Sequence, residues 1–134
     1  MAQENVEKVR RSFAKYNRGD IKGALEEWAA DAVWDWSNGH GFDAGIYRGR
    51  DEIRAFWQQR GAAWEESRLE IVDLVEVDHD RVIVENVGYS RGRDGIHVEA
   101  RSAWLVTFQD GEQISLTLFQ TMQEALEAAG LTAP

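Results

Sequence analysis

The chain has 134 residues, a length that supports one core but leaves two domains too small to bury one each. With 15 Lys and Arg against 24 Asp and Glu and no dominant Lys/Arg cluster, its net charge of −9 argues against nucleic acid, whose binding needs a basic face to release counterions, and disfavours acidic membrane surfaces. The absence of cysteine removes disulfides, thiolate nucleophiles and Cys-ligated metals, and fits a reducing, cytoplasmic setting.

Met1 to Asn5 carry no basic stretch followed by an apolar run, so a secretory signal is not expected, and no stretch approaches ~20 apolar residues. Glu4 to Tyr16 reads as an amphipathic helix, because Val6, Val9, Phe13 and Tyr16 recur at three- and four-residue spacing. Asn17-Arg18-Gly19 ends it, and Asp20 caps a second helix carrying Ile21, Ala24, Leu25 and Trp28. Asp31 to Trp36 alternates as a short strand, with Ala32, Trp34 and Trp36 on one face and Val33 and Asp35 on the other.

Ser37 to Gly49 holds four glycines and reads as loop, yet its Phe42, Ile46 and Tyr47 predict that it folds over something apolar. Arg50 or Asp51 opens a third helix through Ile53, Phe56, Trp57 and Arg60, ending near Gly61 to Trp64. From Leu69 the period changes to that of strands: Leu69 to Val77, Arg81 to Tyr89, His97 to Phe108 and Gln113 to Thr121. The turns Asp78-His79-Asp80, Gly92 to Gly95 and Asp110-Gly111 join them into an antiparallel meander. A closing helix, Met122 to Ala129, is capped by Gly130. These elements predict an α+β fold spanning residues 1–134, with N-terminal helices covering a curved, mainly antiparallel sheet.

Six Trp, five Phe and three Tyr must either fill a core or line a cavity. The candidates to line one are Tyr16, Trp34, Trp36, Phe42, Tyr47, Phe56, Trp57 and Trp104, with Leu118 and the neutral amide of Gln120 beside them. For acid–base chemistry the candidates are Asp35, His40 and Glu85. His40 and Asp43 share a loop and form a proton-transfer pair if they meet at a pocket mouth; otherwise they are solvated loop residues. Glu85 and Tyr89 share a strand face, but the strand is apolar on both sides, so periodicity leaves open whether that face meets the helices. Arg101 either pairs with Glu85 or Glu99 across strands or binds an oxyanion. The scattered His and Asp lack metal-ligand spacing, so no metal and no other cofactor is expected.

The element order resembles the SnoaL-like group of the NTF2-like superfamily, a cone-shaped α+β barrel. The resemblance rests on Asn17-Arg18-Gly19-Asp20, Ala30-Asp31-Ala32-Val33-Trp34, Tyr47-Arg48-Gly49-Arg50-Asp51-Glu52-Ile53-Arg54-Ala55-Phe56, Glu99-Ala100-Arg101 and the C-terminal Glu124-Ala125-Leu126-Glu127-Ala128-Ala129-Gly130-Leu131. It implies a pocket between the helices and the sheet, and a homodimer formed through the sheets. Members include cyclases, steroid isomerases, hydrolases and proteins without known activity. Where the isomerases place a carboxylate base, a Tyr and an Asp, this chain has Trp36, Ser12 and Trp104, which leaves Asp35, next to the base position, as the remaining candidate there. The expectation is a SnoaL-like protein binding a small apolar ligand, or a cofactor-free isomerase, cyclase or hydrolase acting on an apolar or polycyclic compound. The alternative is a non-catalytic ligand-binding or dimerisation module with the aromatic face as core.

Overall fold

The computed structural model describes residues 2–39, 44–92 and 94–131. Helix α1 (Ala2–Asn17) buries Val9 and Phe13, and Gly19, at φ 82°, turns the chain into α2 (Ile21–Glu26). The Asp20 carboxylate accepts the Gly23 N–H at 2.9 Å, capping α2. The heptad-like spacing predicts that this helix continues to Trp28, but it stops at Glu26 and Trp28 instead opens strand β1 (Trp28–Asp35). The physical reason is that Trp28 pairs with Gln113 in the sheet. Gln113 donates to the Glu27 carbonyl at 3.0 Å and Arg50 to the Trp28 carbonyl at 2.6 Å, so tertiary donors also hold the chain there.

Within the segment read as loop, Ile46–Arg48 forms a short strand, β2, paired antiparallel to β1 with Trp34 opposite Tyr47. Its β-branched and aromatic residues satisfy the edge of β1, and the Trp36 N–H donates to the Gly45 carbonyl at 2.7 Å. Helix α3 (Gly49–Ala63) then buries Ile53 and Phe56. Strands β3 (Glu66–Glu76), β4 (Arg81–Arg91), β5 (His97–Gln109) and β6 (Glu112–Phe119) form the meander predicted from their spacing. The sheet order is β2-β1-β6-β5-β4-β3, and β1 runs parallel to β6 while every other pair is antiparallel.

The turn between β5 and β6 places Asp110 and Gly111 at φ 53° and 79°, the twist that a two-residue hairpin requires. Helix α4 (Met122–Ala128) starts in a reciprocal capping box between Thr121 and Glu124. Its Ala125 packs with Ile83 and Ala103 on one face of the sheet. The opposite face carries Val82, Val84, Trp104, Val106, Leu116 and Leu118 against α1 and α3. Among the described residues no helix is long and apolar enough to cross a membrane.

One charge cluster ties α1 to the start of the sheet. The Glu27 carboxylate, only 9% exposed, meets the Arg11 guanidinium and lies 3.0 Å from the Lys15 ammonium. Burial alone would raise its pKa, but the hydrogen bonds and charges of Arg11 and Lys15 together outweigh burial and hold it below the ordinary carboxylate value.

Candidate functional site

Two cavities lie between the helices and the sheet. The larger, of about 340 Å³, is partly open to the surface. It exists because side-chain volume is missing at facing positions of β4 and β5: Gly88 stands opposite Ala100, Asn86 opposite Ser102 and Ser90 opposite Val98. Around that gap the rings of Trp36 and Trp104 and the side chains of Leu69 and Leu118 form apolar walls. Arg60 of α3 also lines it, its guanidinium 6.0 Å from the Trp36 ring centroid and 5.9 Å from that of Phe56. The smaller cavity, of about 30 Å³, lies deeper, among Val9, Phe13, Tyr16, Trp34 and Trp57.

The polar groups are individually placed. The Trp104 indole N–H donates to the Ser102 hydroxyl at 3.0 Å, which fixes the ring plane. The Gln120 amide donates to the Asn38 carbonyl at 2.6 Å, and the Asn38 amide donates to the Leu118 carbonyl at 3.0 Å, pinning the chain that leaves β1 to the end of β6. Asn86, 1% exposed, donates to the Val84 carbonyl at 3.2 Å. The indole N–H groups of Trp34 and Trp36 are buried without a hydrogen-bond partner. A buried unpaired donor costs ~1–3 kcal/mol, so each is a site where an acceptor would be favoured.

Of the sequence candidates, Trp36, Trp104, Leu118 and Gln120 meet at the larger cavity, and Tyr16, Trp34, Trp57 and Trp104 meet at the smaller. Trp34 is 2% exposed and packs edge-on against Trp28, Phe56 and Trp57 at centroid distances of 5.1, 6.0 and 5.3 Å. Phe56 is equally enclosed, and the Tyr47 ring packs on it, tilted, at a centroid distance of 4.7 Å. The Tyr16 hydroxyl shares a 2.8 Å hydrogen bond with Ser67.

The carboxylates sit elsewhere. Asp35 falls on the strand face opposite Trp34, and its carboxylate accepts the Ser37 N–H at 2.9 Å and the Ser37 hydroxyl at 2.6 Å. Asn86 faces the helices, so Glu85, Val87 and Tyr89 alternate to the other side of the sheet. There Glu85 pairs with the Arg101 guanidinium at 3.1 Å. His40 and Phe42, with Asp43, lie outside the described residues. Among the described residues, no Asp, Glu or His lines the larger cavity, and no group of three such side chains is placed to hold a metal ion. Sequence reasoning missed Asn86, Gly88, Ser90 and Ala100. Their signal was present, as small residues at every second position of two adjoining strands.

A family profile described as the SnoaL-like domain matches residues 9–116. The chain belongs to the SnoaL-like domain family. Its solved relatives place the SnoaL-like chain within the NTF2-like fold. Bal32a, from a soil-derived mobile gene cassette, is 26% identical, with 88% of this chain and 89% of that one covered and a TM-score of 0.79. TerC, co-crystallised with polyporic acid, is 21% identical over 95% and 98% of the two chains, with a TM-score of 0.75. RV0760c of Mycobacterium tuberculosis, in complex with estradiol-17beta-hemisuccinate, is 16% identical over 89% and 95%, with a TM-score of 0.77. No curated protein matches the SnoaL-like chain.

Proposed function

We propose that this SnoaL-like protein binds a small, largely apolar molecule in its larger cavity. The observation that carries the reading is the cavity itself: about 340 Å³, walled by Trp36, Trp104, Leu69 and Leu118, with room left by Gly88 and Ala100. That volume lies at the lower end of the ~300–1,000 Å³ typical of small-molecule sites, which are mostly apolar with a few placed polar groups. The unpaired indole N–H of Trp36 supports a ligand bearing a hydrogen-bond acceptor, reached by a small rotation of the ring. Ligand complexes of TerC and RV0760c, which share the fold, lend the reading further support.

A cavity wall without a described carboxylate or imidazole favours binding over acid–base catalysis through Asp35 or Glu85. Turnover as an isomerase, cyclase or hydrolase would fall to His40, whose neighbour Gly39 lines the cavity. The test is a titration with estradiol-17beta-hemisuccinate and polyporic acid, followed by quenching of tryptophan fluorescence and by chromatography for products. Trp36→Ala is expected to weaken binding at least ~10-fold, or 1.4 kcal/mol, with the fold kept. Equal affinity in Trp36→Ala and in a variant that fills the gap, Ala100→Phe, would place binding elsewhere. A product peak would make the protein an enzyme.

A homodimer through the sheet face that α4 leaves uncovered is the second part of the proposal. That face presents Tyr89 under the Arg68 guanidinium, 4.7 Å from its ring centroid, and the pair Glu85–Arg101, a mixed polar and aromatic surface of the kind that interfaces use. Sedimentation at micromolar concentration is expected to give twice the chain mass; a monomer rejects the dimer. A reducing, cytoplasmic setting is the simplest one for a chain without cysteine.

A further inference from the structure

The two cavities are neighbours, and Leu69 and Trp104 line both. Those two side chains are therefore the partition between an outer space of about 340 Å³ and an inner one of about 30 Å³. The partition is held from three sides. The Trp104 N–H is bonded to Ser102 at 3.0 Å, and its ring tilts against Phe13 at 5.3 Å and Trp36 at 5.7 Å.

The inner cavity has a definite chemistry. Apart from the unpaired Trp34 indole N–H, its buried polar side chains are engaged: Gln113 donates to the Ser12 hydroxyl and to the Glu27 carbonyl, both at 3.0 Å. Ser12 donates to the Lys8 carbonyl at 2.9 Å, and Tyr16 is bonded to Ser67. A buried water needs two to four polar partners, and a pocket whose one unspent buried polar group is the Trp34 N–H offers too few. The remaining wall is Val9, Phe13, Leu25, Trp28 and Val106. Such a space stays dry and favours an apolar group.

We infer that Trp104 is a specificity-determining residue: its ring closes a dry inner subsite, admitting compact apolar ligands and rejecting those with a longer apolar extension. This inference rests on the outer cavity being the binding site. The occupant that would discriminate is an alkyl chain, because it asks nothing of the polar groups and each methylene seated in the inner space raises affinity about fourfold.

The experiment uses 4-alkylphenols with one to eight carbons in the chain, titrated by calorimetry against wild type, Trp104→Phe and Trp104→Ala. Wild-type affinity is expected to rise along the series, then fall once the chain meets the ring. In Trp104→Ala the optimum moves to a longer chain, with at least a tenfold gain for the longest phenols; Trp104→Phe falls between. An optimum that does not move overturns the inference while leaving outer-cavity binding intact. If wild type binds no phenol at all, the outer-cavity reading fails, and a crystal of Trp104→Phe under xenon pressure still decides the partition. Xenon seated among Val9, Phe13 and Trp57 supports a dry subsite behind the ring, and ordered water there overturns it.

Discussion

Replacing Trp34 by Ala is expected to lower the free energy of unfolding by ~3–5 kcal/mol, the cost of truncating a fully buried ring. Trp34 is 2% exposed, sits near the C-terminal end of β1 and touches three other aromatic rings from α3 and the strand start. Its removal leaves a cavity that those rigid rings cannot close, so the transfer and cavity contributions both apply. Against a typical domain stability of ~5–15 kcal/mol the loss is large, and the thermal midpoint should fall by roughly 10–20 °C. Trp36→Ala supplies the contrast. Trp36 is half-buried at the cavity wall, and its truncation enlarges a space that is already open, so its midpoint should move far less. Paired thermal melts check both; a Trp34→Ala midpoint within about 3 °C of wild type would remove the ring from the core.

The second large effect is at Glu27. Its carboxylate is nearly enclosed, whereas Arg11 is 52% and Lys15 24% exposed, so both cations can turn to water when the anion is removed. Glu27→Gln should therefore cost about 1–3 kcal/mol, less than the ~3–5 kcal/mol of breaking a fully buried pair. The pH dependence has a definite sign. The folded-state pKa lies below the ordinary 4.5, so the unfolded chain binds the proton more readily. The contribution is fully present above pH 4.5 and is lost as pH falls toward and through the depressed folded value. Urea unfolding of wild type and Glu27→Gln between neutral and acid pH should show the gap between the two narrowing in that window. A gap constant with pH would mean that the ion cluster contributes nothing to stability.

Much of the architecture was legible because it is written in short-range patterns. The spacing of Val9 and Phe13, the Asp20 cap, the Asp110-Gly111 turn and the change to a two-residue period after Leu69 depend on neighbours in the chain. The misreadings arose where distant donors and edges intervened. The second helix stops short of Trp28 because Trp28 pairs with Gln113 of β6, and Ile46–Arg48 becomes a strand because β1 offers an unpaired edge. Gln113 lies 86 residues from Glu27, and that edge is reached only across the loop that follows β1.

The site was legible only in part. Trp36, Trp104, Leu118 and Gln120 were nameable as wall residues, since bulky rings and a terminal amide on one strand face point to a lined space. The gap itself comes from pairing Gly88 with Ala100 across β4 and β5, a register that neither strand encodes alone. The face of Glu85 was undecidable from periodicity, because its strand is buried on both sides: by the helices over Val84 and Asn86, and by α4 over Ile83. By itself the sequence determined the α+β class, the order of its long elements and the family, all properties of local pattern and motif. Only the tertiary structure decided which carboxylates turn away from the cavity and where the empty space lies, because both depend on strand register and on which layer covers each face.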